Sequence, residues 1–439
     1  MNNLKFLTAS LVLALGLQGI ALAQTTGATT KSSSHPATPK RAAATAKPAP
    51  APKVRKLDPR QQFVMDVVKS AVALPQPDPQ DRLRVLSTAV SVISPLNRSL
   101  AKSYASEGMR IEKDLIQAGE TPVASMLNGG EVDCNQVTSF VENVPTARIS
   151  AAEQSLVGAL SLCPSQAAEP LKQKIQTAMD EGHIAPRALL ALVDRNGASD
   201  PWSRDQFLKM FSNLPADANA SAAEGPNYAA MYSRMAPELD KDAAKTSGVK
   251  LLLWLGKLEE SGERNLSVNI ATGAMKEALG EKGYEDALAS DVMASQVAQT
   301  AGKEGEIEHP EEESVSVLHA MGTAKIDRSA ELADMPPSLQ AREAAASGFA
   351  TGTSGDRKMA GRYFDIAFSA LDKVWDDRSS TKDAPAVVQE VSEAAAQVDP
   401  VDALKRAQQL SDKTAQAIGM IAVARVASSQ QGPEPVAQK

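Results

Sequence analysis

The sequence predicts an all-α protein built of antiparallel helical hairpins, and three observations predict it. Apolar residues recur at spacings of three and four, alanine is abundant while alternating β-branched runs are scarce, and Pro- and Gly-rich breaks separate the segments. A helix with one apolar stripe must bury it against another element, so the pattern requires helices packed on helices. Hydrophobic residues make up 43% of the 439-residue chain, enough for a substantial core. The body has the length of two or three globular domains or of one long repeat array.

Residues 1–23 read as a signal peptide. Lys5 precedes an apolar run from Phe6 to Leu22, and Ala21-Leu22-Ala23 sets small residues one and three positions before a cut ahead of Gln24. Phe6–Ala23 has the 18 residues of a short membrane span. Gly16, Gln18 and Gly19 weaken it as an anchor, so cleavage after Ala23 is expected, with no transmembrane segment left afterwards. Export to the periplasm or the medium follows from that reading.

Residues 24–57 read as a disordered basic linker. Lys31, Lys40, Arg41, Lys47, Lys53, Arg55 and Lys56 occur there without one carboxylate, beside Pro48-Ala49-Pro50-Ala51-Pro52. Such a stretch cannot bury enough apolar surface to offset its ordering entropy. Alternating Ala-Pro favours an extended spacer of about 3.1 Å per residue. Plain spacing is one use; association with anionic envelope polymers or lipid headgroups is the other. The whole chain carries −7, and Lys5 with the seven linker cations contributes eight positives, which leaves −15 on residues 58–439. An acidic body argues against nucleic acid as partner, because phosphate binding needs clustered cations.

Along the body, breaks and stripes alternate. Ala73-Leu74-Pro75-Gln76-Pro77-Asp78-Pro79 stops a first helix and sends the next to start beyond Pro79. Leu96, Leu100, Tyr104, Ile111 and Leu115 mark a helical stripe, ended before Asn128-Gly129-Gly130. Cys134 and Cys163, the two cysteines, either bridge in an oxidising compartment or pack as two buried thiols. After Asn196-Gly197, the stretch from Leu214-Pro215 to Pro226 is the expected boundary between an N-terminal helical region, 58–214, and a C-terminal helical-repeat region, 226–427.

The second region carries a faint internal repeat. Leu251, Trp254, Leu255 and Leu258 form one stripe, and Tyr363, Phe364, Ala367, Phe368, Leu371, Val374 and Trp375 form a longer one. Ser261-Gly262-Glu263-Arg264 and Ser354-Gly355-Asp356-Arg357 lie 93 residues apart, each between two helical segments. At that offset Leu266 meets Met359, Ile270 meets Tyr363, Ala274 meets Ala367 and Met275 meets Phe368. A glycine ending one helix and an acidic residue opening the next explain the motif. Met335-Pro336-Pro337 breaks the chain again, and residues 401–427 give a further hairpin about Ser411-Asp412. Residues 428–439 read as a disordered tail.

These hairpins resemble the tetratricopeptide-like and HEAT-like α-solenoids, here as an exported bacterial protein, over residues 247–280 and 325–427. Trp254-Leu255-Gly256 echoes the first helix of a tetratricopeptide unit, although no regular 34-residue period is maintained. The resemblance implies a concave protein- or peptide-binding surface and no catalytic residues. A non-repetitive helical bundle is the alternative architecture.

Chemistry is sparsely represented. No H-E-x-x-H, paired C-x-x-C, G-x-S-x-G, G-x-x-x-x-G-K-[ST] or G-x-G-x-x-G occurs. His309, Glu311, Glu312, Glu313 and His319 form the one His/carboxylate cluster, better explained as solvated charges at a helix start. Glu259-Glu260 and Asp376-Asp377 look like exposed helix ends. No catalytic, cofactor-binding or metal-binding residue is assigned. Trp202, Trp254 and Trp375 are the candidate binding-surface aromatics. The expected function is that of an exported scaffold binding another protein or peptide, without enzyme activity or cofactor. The alternatives are a hydrolase acting on envelope polymer through a carboxylate pair, and a purely architectural spacer.

Overall fold

The computed structural model describes residues 57–129, 131–216, 218, 223–300, 327, 329–378 and 383–429. The expected signal peptide, nearly all of the basic linker and the His309–His319 cluster lie outside them.

Helices and their connections account for the described residues, without a strand among them. In chain order they are α1 Pro59–Ala73, α2 Pro79–Ile93, α3 Arg98–Ala118, α4 Cys134–Asn143, α5 Glu153–Leu162 and α6 Pro164–Asp180. Next come α7 Pro186–Asn196, α8 Pro201–Ser212, α9 Gly225–Met235, α10 Lys241–Leu255, α11 Gly262–Ala289 and α12 Val292–Ala298. The last are α13 Ser329–Leu332, α14 Pro337–Thr353, α15 Arg357–Asp376, α16 Ala384–Val398, α17 Pro400–Ala407 and α18 Lys413–Ser429.

The helix starts follow local chemistry. Asp58-Pro59, Asp78-Pro79, Asp200-Pro201 and Asp399-Pro400 each place a carboxylate at the N-cap and a proline in the first helical position. The carboxylate accepts a free backbone N–H, and proline lacks the N–H that would go unused. Pro79 is therefore the first residue of α2, not the end of a break before it. At the C-terminus α18 extends through Ser429, so Ser428 and Ser429 are helical and not part of a tail.

The hairpins α10/α11 and α14/α15 occupy the two arms of the 93-residue internal match, and each closes through a glycine. A Cβ on Gly248 would lie 2.7 Å from Met275 Cγ, and one on Gly348 would lie 2.9 Å from the Phe364 ring. The turn motif itself does two different jobs. Gly355, with φ of 101°, ends α14 while Asp356 caps α15; in the earlier copy Ser261 is the cap and Gly262 already belongs to α11. Leu266, matched to Met359, is 57% exposed and stands outside the core.

The stretch 214–226 does not part the body into two. Phe207 and Phe211 of α8, Tyr228 and Tyr232 of α9 and Trp254 of α10 form one aromatic cluster across it, with Phe211–Tyr228 centroids 6.4 Å apart and Tyr228–Trp254 centroids 5.1 Å apart. The described residues form one compact unit. The order of packing departs from the order of the chain. α14, α15, α16 and α17 pack successively, α18 packs on α16 and α17, and its other side packs on α1 and α2. From α2 the stack runs to α3, through the 3-10 turn at Met126–Gly129 to α5, and on through α4, α6, α7, α9, α10, α11 and α12. The last described helix thus lies inside the stack, and its residues from Thr414 to Ala424 are all buried. Gly419 permits the close approach, since a Cβ there would sit 3.0 Å from Ser392 Oγ and 3.2 Å from Ala407 Cβ.

Candidate functional site

The candidate site is a groove between α3 and α4. Its volume is about 580 Å³. Ser106, Arg110 and Lys113 rise from α3 at spacings of four and three, and Asn135, Ser139 and Asn143 rise from α4 at spacings of four. Each set lies on one helical face. Met109 and Phe140 form the apolar floor, which continues past Lys113 to Ile116, Val144 and Pro145.

The α4 wall is fixed at its foot. Cys134, the first residue of α4, forms a disulfide with Cys163 at the α5–α6 junction. Asp133 and Gln136 form a capping box: Asp133 Oδ1 accepts from the Asn135 and Gln136 backbone N–H groups at 3.0 Å each, and Gln136 Oε1 accepts from Asp133 N. Those two side chains serve the helix, which leaves Asn135 and Ser139 turned to the groove. Asn143 Nδ2 donates to the Ser139 carbonyl at 2.7 Å, so its amide is held in place.

Behind α3 lie two buried carboxylates that the sequence reading did not single out. Glu112, fully buried, accepts from Met126 N at 3.0 Å and from the Ser155 hydroxyl, which ties α3 to α5 and to the 3-10 turn at Met126–Gly129. Burial pushes its carboxyl up, against the pull of those hydrogen bonds. The signal was present in the stripe Ala101, Ala105, Gly108, Glu112, Leu115, where a glutamate occupies a core position. Glu153 of α5 is the stronger case. Its Oε2 accepts from Arg187 N at 2.6 Å and Ala188 N at 3.1 Å, and so caps α7, whose own Ala185 has no side chain to do it. Its Oε1 has no hydrogen-bond partner among the described residues. Desolvation, then the Glu224 charge, raises its pKa to about 8, outweighing the two backbone donors. Neither glutamate lines the groove.

The tryptophans are placed differently from expectation. Trp254 is 3% exposed with its Nε1 donating to the Pro215 carbonyl at 3.0 Å, and Trp375 is 1% exposed in the α15 core face. Both are core residues, because the stripe that would present them to a partner is the stripe that holds the stack together. Trp202 alone is partly exposed, with the Lys172 ammonium 4.9 Å above its ring. Glu259, Glu260, Asp376 and Asp377 are exposed.

Among the described residues no three His, Cys, Asp or Glu side chains converge as metal ligands, and no helix is long and apolar enough to cross a membrane. Comparison with family models, curated proteins and solved structures finds no match to this chain.

Proposed function

We propose that this chain is an exported helical scaffold of the tetratricopeptide-like or HEAT-like kind that binds an extended segment of another protein in the α3/α4 groove. The observation that carries the reading is the ladder on α4. Residues four apart on a helix rise about 6 Å, close to the two-residue repeat of about 6.6 Å in an extended chain. Asn135, Ser139 and Asn143 therefore offer polar groups in step with every second residue of a bound strand, while Met109 and Phe140 receive a side chain beneath it. Arg110 and Lys113 on the facing wall suit a carboxylate in the segment. The basic linker would hold this body near anionic envelope polymer.

A hydrolase on envelope polymer draws less support. It needs two carboxylates facing one substrate, and the groove holds Asp133 alone, engaged as a helix cap.

The test is a crosslinked pull-down from the exported fraction with the wild-type chain and a Ser139→Trp/Asn143→Trp chain whose groove is filled. The expected result is a reproducible protein partner retained by the wild type and lost by the variant. Equal recovery by both, or no partner with either, contradicts the reading.

A further inference from the structure

The C-terminal block carries a second groove, of about 510 Å³, between the start of α15 and α17. Arg406 crosses it. The guanidinium pairs with Asp365 of α15 and, at 2.8 Å, with Asp402 of α17. Arg406 is thereby a strut between the walls.

Four other cations line it, of which Arg362 pairs with Asp327 at 4.0 Å. Arg357, Lys358 and Lys405 are exposed and form no ion pair among the described residues. Arg357 and Lys358 are the first two residues of α15, where the helix dipole is already positive and acidic residues are the stabilising choice. Cations at that position raise a positive potential that the local fold would be better without. They do so on a body that carries −15 over residues 58–439. Residues that break a local rule without a structural return mark functional positions. Val401 lies among them in the first turn of α17, 56% exposed.

Cations on both rims, with a bare aliphatic side chain beside Lys405 on α17, fit a peptide that carries carboxylates next to an aliphatic residue. Asp365, Asp399 and Asp402, which also line the groove, repel an unbroken polyanion. A peptide can set discrete carboxylates against the cations and keep clear of the aspartates. We propose that the α15/α17 groove docks an acidic peptide segment of a partner protein, with carboxylates on Arg357, Lys358 and Lys405 and an aliphatic side chain on Val401. This surface is separate from the α3/α4 groove and does not rest on its role.

The experiment is fluorescence anisotropy of the full chain with a fluorescein-labelled Ser-Glu-Glu-Ile-Glu-Glu-Ser peptide. Saturable binding is expected, weakened at least tenfold by Lys358→Glu/Lys405→Glu and left within twofold by Lys69→Glu/Lys282→Glu, which makes the same charge change at exposed sites elsewhere. Replacing the peptide isoleucine with serine should weaken binding several-fold. Circular dichroism of each variant confirms that the exposed substitutions leave the fold intact. Absence of binding, or equal loss with both double variants, overturns the proposal. So does groove-dependent binding of polygalacturonate with none of the peptide, which would assign the groove to an anionic polysaccharide. Concentration-dependent self-association abolished by Lys358→Glu/Lys405→Glu would assign it to a second copy. Peptide binding that tightens tenfold when the six glutamates between 304 and 313 become glutamine would assign it to the chain's own acidic stretch.

Discussion

Glu153 sets a helix cap against the cost of burying a carboxyl. Two backbone donors and the positive end of α7 favour the carboxylate, while desolvation opposes it, and desolvation wins because the group is only 4% exposed. The folded chain therefore keeps a proton that the unfolded chain loses above its ordinary value of 4.5, up to a folded value of about 8. Over that window the folded state binds more protons, so the contribution of Glu153 to stability is full below pH 4.5 and is lost as pH rises through about 8. The expected loss is on the order of a few kcal/mol. Glu153→Gln keeps an acceptor for Arg187 and Ala188 without a titrating proton. Denaturant unfolding from pH 5 to 8 should therefore show a shallower decline in Glu153→Gln than in the wild type. A wild type equally stable at both ends of the range would contradict the assignment. Glu112 and Glu153 lie on buried helix faces that the sequence reading passed over, and that each would find backbone donors depends on elements the stripe does not name.

At the scale of helices, much was legible from local chemistry. The Asp-Pro pairs mark helix starts because one side chain both supplies an acceptor and precedes a residue without a donor. The 93-residue match located two real hairpins. What the match could not convey was register, since the two equivalent second helices are capped from different positions of the motif, Ser261 in one copy and Asp356 in the other. Nor could it tell core from rim: Leu266 and Trp254 are both apolar on helical stripes, yet one is exposed and the other buried. The glycines are the more faithful marker of hairpin contact. Gly348→Ala would press a methyl against the Phe364 ring, which has no free end to swing aside, and should destabilise the chain by about 1–3 kcal/mol. Gly273→Ala, where a Cβ meets open space, should instead be neutral or stabilising because alanine is the better helix former. Thermal unfolding of the two variants side by side distinguishes the positions.

The whole molecule is arranged in an order that no local reading supplies. The sequence marks α18 as one arm of a C-terminal hairpin; it does not say that α1 and α2 pack on that helix as well. The internal boundary expected at 214–226 failed for a related reason, since the aromatic cluster that bridges it draws on three separate helices. Ile421 of α18 is fully buried. Ile421→Ala should cost about 2–5 kcal/mol, and hydrogen exchange should show lost protection in α1 and α2 together with α16, whereas a chain stacked strictly in sequence order would lose it in the C-terminal helices alone. In that stack α4 is anchored by the Cys134–Cys163 disulfide beside α3, and the proposed scaffold function depends on the groove between them. A photo-crosslinking amino acid placed at Ser139, and in a second chain at the exposed Lys282 of α11, tests the claim most directly. In the exported fraction the account predicts a discrete crosslinked protein from position 139 and none from 282. Identical products from both positions, or none from 139, would contradict it.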